Sequence, residues 1–186
     1  MDIVEEIRAY IPGCEQEERD KAVMLAFLKE HEDAFERSNP LSHMTASAWI
    51  LNPERTKVAM CFHNQYNSWS WTGGHADGER DLLAVAIREA EEETGARCRP
   101  LAEGILSLEI LTVDGHVKKG AWVPGHTHMN VTYLLQADTG TLRPKPDENK
   151  AVRWMTQEDA LASSTEPWMV EHVYRKLAKR AKPYMK

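Results

Sequence analysis

Residues 73–96 read GGHADGERDLLAVAIREAEEETGA, and the second half of this stretch carries a helical period. Leu82, Val85, Ala86, Glu89 and Glu93 share one helical face. That face starts apolar, as a core-facing stripe should, and then turns acidic, with Glu92 beside it. Leu83, Ile87 and Ala90 form a second apolar line. The spacing therefore predicts a largely buried helix over 81–94, stopped by Gly95.

The bland reading of Glu91-Glu92-Glu93 is a solvated helix end, the usual meaning of a charge run. Two features oppose it. The glutamates lie near the helix C-terminus, where the macrodipole disfavours negative charge. Glu89 and Glu93 also extend the apolar stripe instead of opposing it. Carboxylates gathered on one face repel one another unless a cation lies between them. Hard divalent ions such as Mg²⁺ accept such oxygen ligands while also binding substrate phosphates. Arg88 is placed to pair with neighbouring carboxylates.

Residues 74–96 resemble the Nudix box. Counted from Gly74, Arg88, Glu89, Glu92, Glu93 and Gly95 fall in register, with Ala90 and Ala96 in the hydrophobic slots. This many fixed positions make a specific match. One position departs: Arg80 stands where the box has its first glutamate, with Glu79 next door as its expected substitute. The resemblance implies an α/β/α sandwich with a mixed sheet. It also implies hydrolysis of a nucleoside diphosphate joined to another group X, or of a related small-molecule diphosphate. Glu89, Glu92 and Glu93 match the metal ligands, with Mg²⁺ or Mn²⁺ as the ion. Arg88 joins Glu92 and Glu93 among the catalytic residues, and Glu148, in the loop before Val152-Arg153-Trp154, is the candidate general base. A Gly73-Gly74 turn is expected to bring the backbone close to the metal site without obstruction by a side chain.

Two other functions are weighed. Isopentenyl-diphosphate isomerases share the Nudix fold and place a catalytic cysteine just before a conserved histidine; here Gly73-Gly74 takes that place, and Cys61 lies far upstream. The alternative of a catalytically reduced nucleotide-binding or regulatory module usually goes with a degraded glutamate set, whereas this chain keeps Glu89, Glu92 and Glu93. Only Arg80 leans toward it.

Elsewhere the chain alternates helices and strands, which suggests an α/β layered domain with a mixed sheet. Residues 3–37 read as two helices broken at Pro12-Gly13, with Val23, Leu25, Phe27 and Leu28 as apolar positions of the second. Strands are expected over 46–51, 57–62, 105–113, 127–135 and 151–155, with a loop over 140–150. Two helices close the chain, one from about Thr156 and one over 167–179, and the basic run 175–182 is read as the solvated side of the last. A helical extension over 1–40 followed by a main domain over 41–186 is the expected organisation.

Gly74, His75, Trp71 and His128 are candidate substrate-binding residues. His126 and His128 share a strand face, suited to phosphate, metal or plain hydrogen bonding. Tyr66, Trp69 and Trp71 are candidates for base stacking, although core packing is the commoner use of tryptophan.

The 186 residues suffice for one domain with a sizeable core. A formal net charge of -6 argues against binding long nucleic acid. Apolar runs are too short for a membrane span, and no signal-like leader is evident. The three scattered cysteines, read as buried thiols, fit a reduced cytoplasm. The expected partner is a small-molecule diphosphate, with no long nucleic acid and no membrane; a homodimer is left open.

Overall fold

The computed structural model describes residues 2–65, 67–118 and 120–186. Its central strand is β1, Ser42–Leu51, buried along its whole length because both edges are paired. On one edge it runs parallel to the long strand His126–Ala137 (β9), from Ser42↔Thr127 to Leu51↔Gln136. On the other it meets β2 (Val58–His63) at Leu51↔Val58 and β4 (Thr72–His75) from Thr45↔His75 to Ala48↔Thr72. Strand β2 also carries β3 (Ser68–Ser70) and β10 (Asn149–Met155), while β9 carries β5 (Cys98–Pro100) and β6 (Ser107–Val113). Among the described residues these eight strands form one mixed sheet, and β7 (His116–Lys118) pairs with β8 (Ala121–Val123) as a separate hairpin. Gly73-Gly74 is thus part of a strand and not the expected turn. The strands of three residues escape a sequence reading because they are too short to show a two-residue period.

Alternation along β1 and β9 builds two cores. Ala46, Ala48 and Ile50, with Val131, Tyr133 and Leu135, pack against Leu82, Val85 and Ala86 of α3 (Leu82–Thr94). The same cluster takes in Ile3 and Ile7 of α1 (Ile3–Ala9) and Met24 of α2 (Glu15–Glu30). On the opposite face Trp49, Leu51 and Leu134 meet Val173, Tyr174 and Leu177. Those three belong to the C-terminal helical run: α4 (Gln157–Ser163), α5 (Pro167–Met169), a π-helical turn Val170–Tyr174 and α6 (Arg175–Ala181). The result is the expected three-layer α/β/α sandwich with a mixed sheet. Among the described residues no helix is long and apolar enough to cross a membrane.

Several expectations are corrected. Helix α2 ends at Glu30, so residues 31–37 are not helical. Val23 is half exposed, and Met24 is the residue turned inward. The cysteines differ from one another: Cys61 is buried, Cys98 half-buried and Cys14 exposed.

Glu17 lies seven residues before Met24 on the same inward face of α2, and it too is fully buried. Its carboxylate accepts from the Tyr10 hydroxyl at 2.6 Å, the Gly13 N–H at 2.7 Å and the Ser107 hydroxyl at 3.0 Å. Arg180 donates to it at 2.5 Å, and Lys176 Nζ lies 3.4 Å from it and 3.2 Å from buried Glu109. The basic run of the last helix is therefore not all solvated; two of its side chains reach inward to neutralise buried carboxylates. Burial alone would raise the Glu17 pKa. The Gly13 and Tyr10 hydrogen bonds and the two cations outweigh it and hold the carboxyl below its ordinary value. Because the folded pKa is the depressed one, this stabilisation is fully present above the unfolded value of 4.5 and is lost as pH falls through the folded value. Glu17→Ala leaves Arg180 without its carboxylate and Lys176 with Glu109 alone, and urea denaturation at pH 7 is expected to show a loss of about 3–5 kcal/mol. The gap between variant and wild type should narrow as pH falls below 4.5 and through the depressed folded value.

Candidate active site

Helix α3 is held at both ends by the devices its sequence announces. Asp81 caps it by accepting from the Ala84 N–H at 3.0 Å. Gly95 adopts a left-handed φ of 68° and returns its N–H to the Glu91 carbonyl at 2.9 Å. Leu82, Val85, Ala86 and Ala90 are buried, and Glu93 on the same stripe is only 4% exposed. Its Oε1 accepts from the Gly73 N–H at 2.9 Å. A Cβ at position 74 would overlap the Glu89 carboxylate, so glycine there lets the carboxylate lie against β4.

Glu148 joins these carboxylates from the loop before β10. Ligand oxygens of Glu89, Glu93 and Glu148 lie within 4.8 Å of one another. Burial, above all, pushes the Glu93 carboxyl up to about 8; the Gly73 N–H opposes this, and the charges of Glu148 and Glu89 add to it. Burial also raises Glu89, partly offset by Arg88 at 3.1 Å and reinforced by Glu92 and Glu148. The group is short of positive charge. Cys61, remote in sequence, stands beside it: burial and its hydrogen bond to Glu93 keep the thiol well above its ordinary pKa.

Glu92 lies outside this trio, on the solvent side. Lys145 bridges it to Glu148, with Nζ 2.8 Å from Glu92 and 2.9 Å from Glu148. Buried Asn149 fastens the loop to the helix. Its Nδ2 donates to the Glu93 carbonyl at 3.1 Å and its Oδ1 accepts from the Lys145 N–H at 3.2 Å. Lys145 and Asn149 carry no sequence signal, because their role depends on where the 140–148 loop lands.

A family model for the NUDIX domain matches residues 41–177. The chain belongs to the NUDIX family. Structures of similar fold include a NUDIX-family hydrolase from Clostridium perfringens, 20% identical, covering 76% of this chain and 97% of that one with a TM-score of 0.54. A UDP-X diphosphatase is 14% identical and covers 98% of this chain and 90% of its own at a TM-score of 0.53. An ADP-ribose pyrophosphatase from Streptococcus suis is 16% identical, covering 77% and 92% at 0.50. At these identities the likeness is one of fold. No curated protein matches the chain.

As a Nudix hydrolase the chain is atypical at the first box glutamate. Glu79 does not join the carboxylates; its Oε1 accepts from the Asp81 N–H at 2.8 Å, which supports the helix start. Arg80 lies over the Phe35 ring at 4.7 Å. Trp71 is in the second core, edge-on to Tyr174 at 5.7 Å, and Trp69 packs edge-on to Phe62 at 5.4 Å. Tyr66 lies outside the described residues. His75 and His128 line a cavity of about 310 Å³ on the far side of β4 from Glu89, together with His43 and His126.

Asn149→Ala leaves buried backbone groups of the Nudix helix and the loop without partners. Thermal or urea unfolding is expected to show a loss of about 1–3 kcal/mol. Amide exchange should accelerate across residues 140–148 and stay unchanged in β1.

Proposed function

We propose that this protein is a divalent-metal-dependent hydrolase of a small-molecule diphosphate, cleaving a nucleoside diphosphate joined to another group X or a related compound. The observation that carries this reading is the convergence of Glu89, Glu93 and Glu148 on the strand at Gly74. The donor set fits Mg²⁺ or Mn²⁺: all oxygen, anionic, crowded and underneutralised. Glu89 and Glu93 would hold the ion, with Glu148 facing it; Glu92, paired with Lys145 on the solvent side, stands outside this group. When bound, the ion offsets diphosphate charge and lowers the pKa of a water nucleophile.

The chain's own residues supply the rest. Glu148, anchored by Lys145, would take the proton of the attacking water. Arg88 steadies Glu89 and reaches the His75 carbonyl at 3.5 Å. Gly74, without a side chain, leaves the Glu89 carboxylate its place against β4. The 310 Å³ cavity bordered by His75 and His128 lies across β4 from Glu89 and is not assigned to group X. Trp71 is too deeply packed to stack on it. The similar folds named for ADP-ribose and UDP-X supply the first substrates to test.

Purified protein is to be incubated with Mg²⁺ or Mn²⁺ and a panel of nucleoside diphosphate sugars, dinucleoside polyphosphates and non-nucleoside diphosphates. Turnover is expected with the ion and none with excess chelator; turnover in chelator would overturn the reading. Glu93→Gln should weaken metal activation and turnover together, with partial rescue by excess ion. Glu148→Gln should keep metal activation and lower kcat by about 10²–10⁴-fold. Normal kcat in Glu148→Gln would remove Glu148 as the base.

A further inference from the structure

Three imidazoles meet across β4 from the carboxylates. Strand β1 supplies His43, β4 supplies His75 and β9 supplies His128. The pairings His43↔His128 and Thr45↔His75 put them on one face of the sheet. Ring centroids are 4.9 Å apart for His43–His128 and His75–His128, and 5.1 Å for His43–His75. One ring nitrogen from each lies within 4.8 Å of the other two.

Buried imidazoles in a structural role have their nitrogens satisfied. Here His43 is 3% exposed, with Nδ1 3.4 Å from the Asn39 carbonyl, and its Nε2 is buried without a partner. The His128 Nε2 is likewise buried without a partner. A ring fixed through one nitrogen to a backbone carbonyl, with the other left free, is the arrangement in which histidine binds metals. Burial first, then neighbouring positive and imidazole groups, pushes His75 down to about 3 and His128 to about 2. Burial also lowers His43. All three rings are therefore neutral at pH 7, with lone pairs available.

We propose that His43, His75 and His128 bind a transition-metal ion of borderline softness, with Zn²⁺ the foremost, at a site separate from the carboxylates. Imidazole suits Zn²⁺ and its neighbours, whereas Mg²⁺ and Mn²⁺ favour the all-oxygen group around Glu89. Three nitrogens at roughly 2.0–2.1 Å from one ion sit about 3.3 Å apart, which small side-chain rotations reach from the present spacing. The fourth position faces the 310 Å³ cavity, whose wall also includes Arg37, Lys118, Trp122 and His126. Three protein ligands with one position open to a cavity leave the ion free to take an anionic oxygen from a ligand there. The site holds whether or not the diphosphatase reading does.

Zn²⁺ alone is the probe, added to the chelator-stripped full chain and followed by competition with a chromophoric chelator. One tight equivalent is expected. Glu89→Gln should leave its affinity unchanged. His128→Ala and His43→Ala should each weaken it by more than about 100-fold, beyond the roughly 10–100-fold usual for an outer partner. The wild-type protein gives a second reading that needs no variant to fold: in ¹⁵N NMR, Zn²⁺ should shift the ring nitrogens of these three histidines. Zn²⁺ binding that is lost in Glu89→Gln and kept in His128→Ala would overturn the assignment, as would unshifted ring nitrogens in saturated protein.

Discussion

The parallel pairing of β1 with β9 is the constraint on which the other features rest. A parallel pair cannot be closed by a tight turn and demands a long crossover. Here that crossover runs from residue 52 to residue 125 and contains β4, α3 and most of the candidate site. Register decides the chemistry of each face. A slip of one residue would send Ala46, Ala48 and Ile50 away from the helix and turn Thr45 and Ser47 toward it. With the register as it is, the Nudix helix gains an apolar floor, and its last two turns place Glu89 and Glu93 over Gly74 and Gly73.

The other face of the same pair is polar at one end and apolar at the other. Thr45 and Ser47 donate to the Asn130 side-chain carbonyl at 3.0 and 2.8 Å; Asn130 and Thr132 donate to Glu109, both at 3.1 Å. Glu109 meets Lys176, and Lys176 meets Glu17. A buried polar chain of this length is stable only when its members are satisfied. This one is closed by a carboxylate from α2 and cations from α6, so the two ends of the chain are joined through the sheet. Satisfaction stops at the strip's outer end, where His43 and His128 each keep a ring nitrogen unpartnered.

How much of this the sequence discloses depends on the range of the interaction. The Nudix helix was legible because its period, its Asp81 cap and its Gly95 stop are local, and the order of helices and long strands followed from similar patterns. Glu148 could be named only through the family resemblance, since nothing within the 140–150 loop says which way it folds. Glu17 looks like any surface acid in a charged helix; its burial is set by partners at 107 and 180. Cys61 is far from the box along the chain yet hydrogen-bonds Glu93. His126 and His128 were visible as a same-face pair, but His43 joins them only through the β1–β9 register, over a separation no local pattern can report.

The two glycines of strand β4 meet neighbours on opposite faces. A Cβ at Gly73 would overlap the Ser47 hydroxyl on one face, and a Cβ at Gly74 would overlap Glu89 on the other. Glycine in a strand interior costs conformational entropy and contributes no packing. That cost is offset by four pairs with β1 and by the Gly73 N–H bond to Glu93. The next residue, His75, follows the alternation back to the Ser47 face. Two consecutive residues thus divide the neighbourhood: anionic oxygens gather where position 74 has no side chain, and neutral nitrogens gather where position 75 has an imidazole. Imidazole nitrogens favour Zn²⁺ and its neighbours over Mg²⁺, and the carboxylates suit Mg²⁺ and Mn²⁺, so a backbone one strand thick separates two binding chemistries without either needing its own loop.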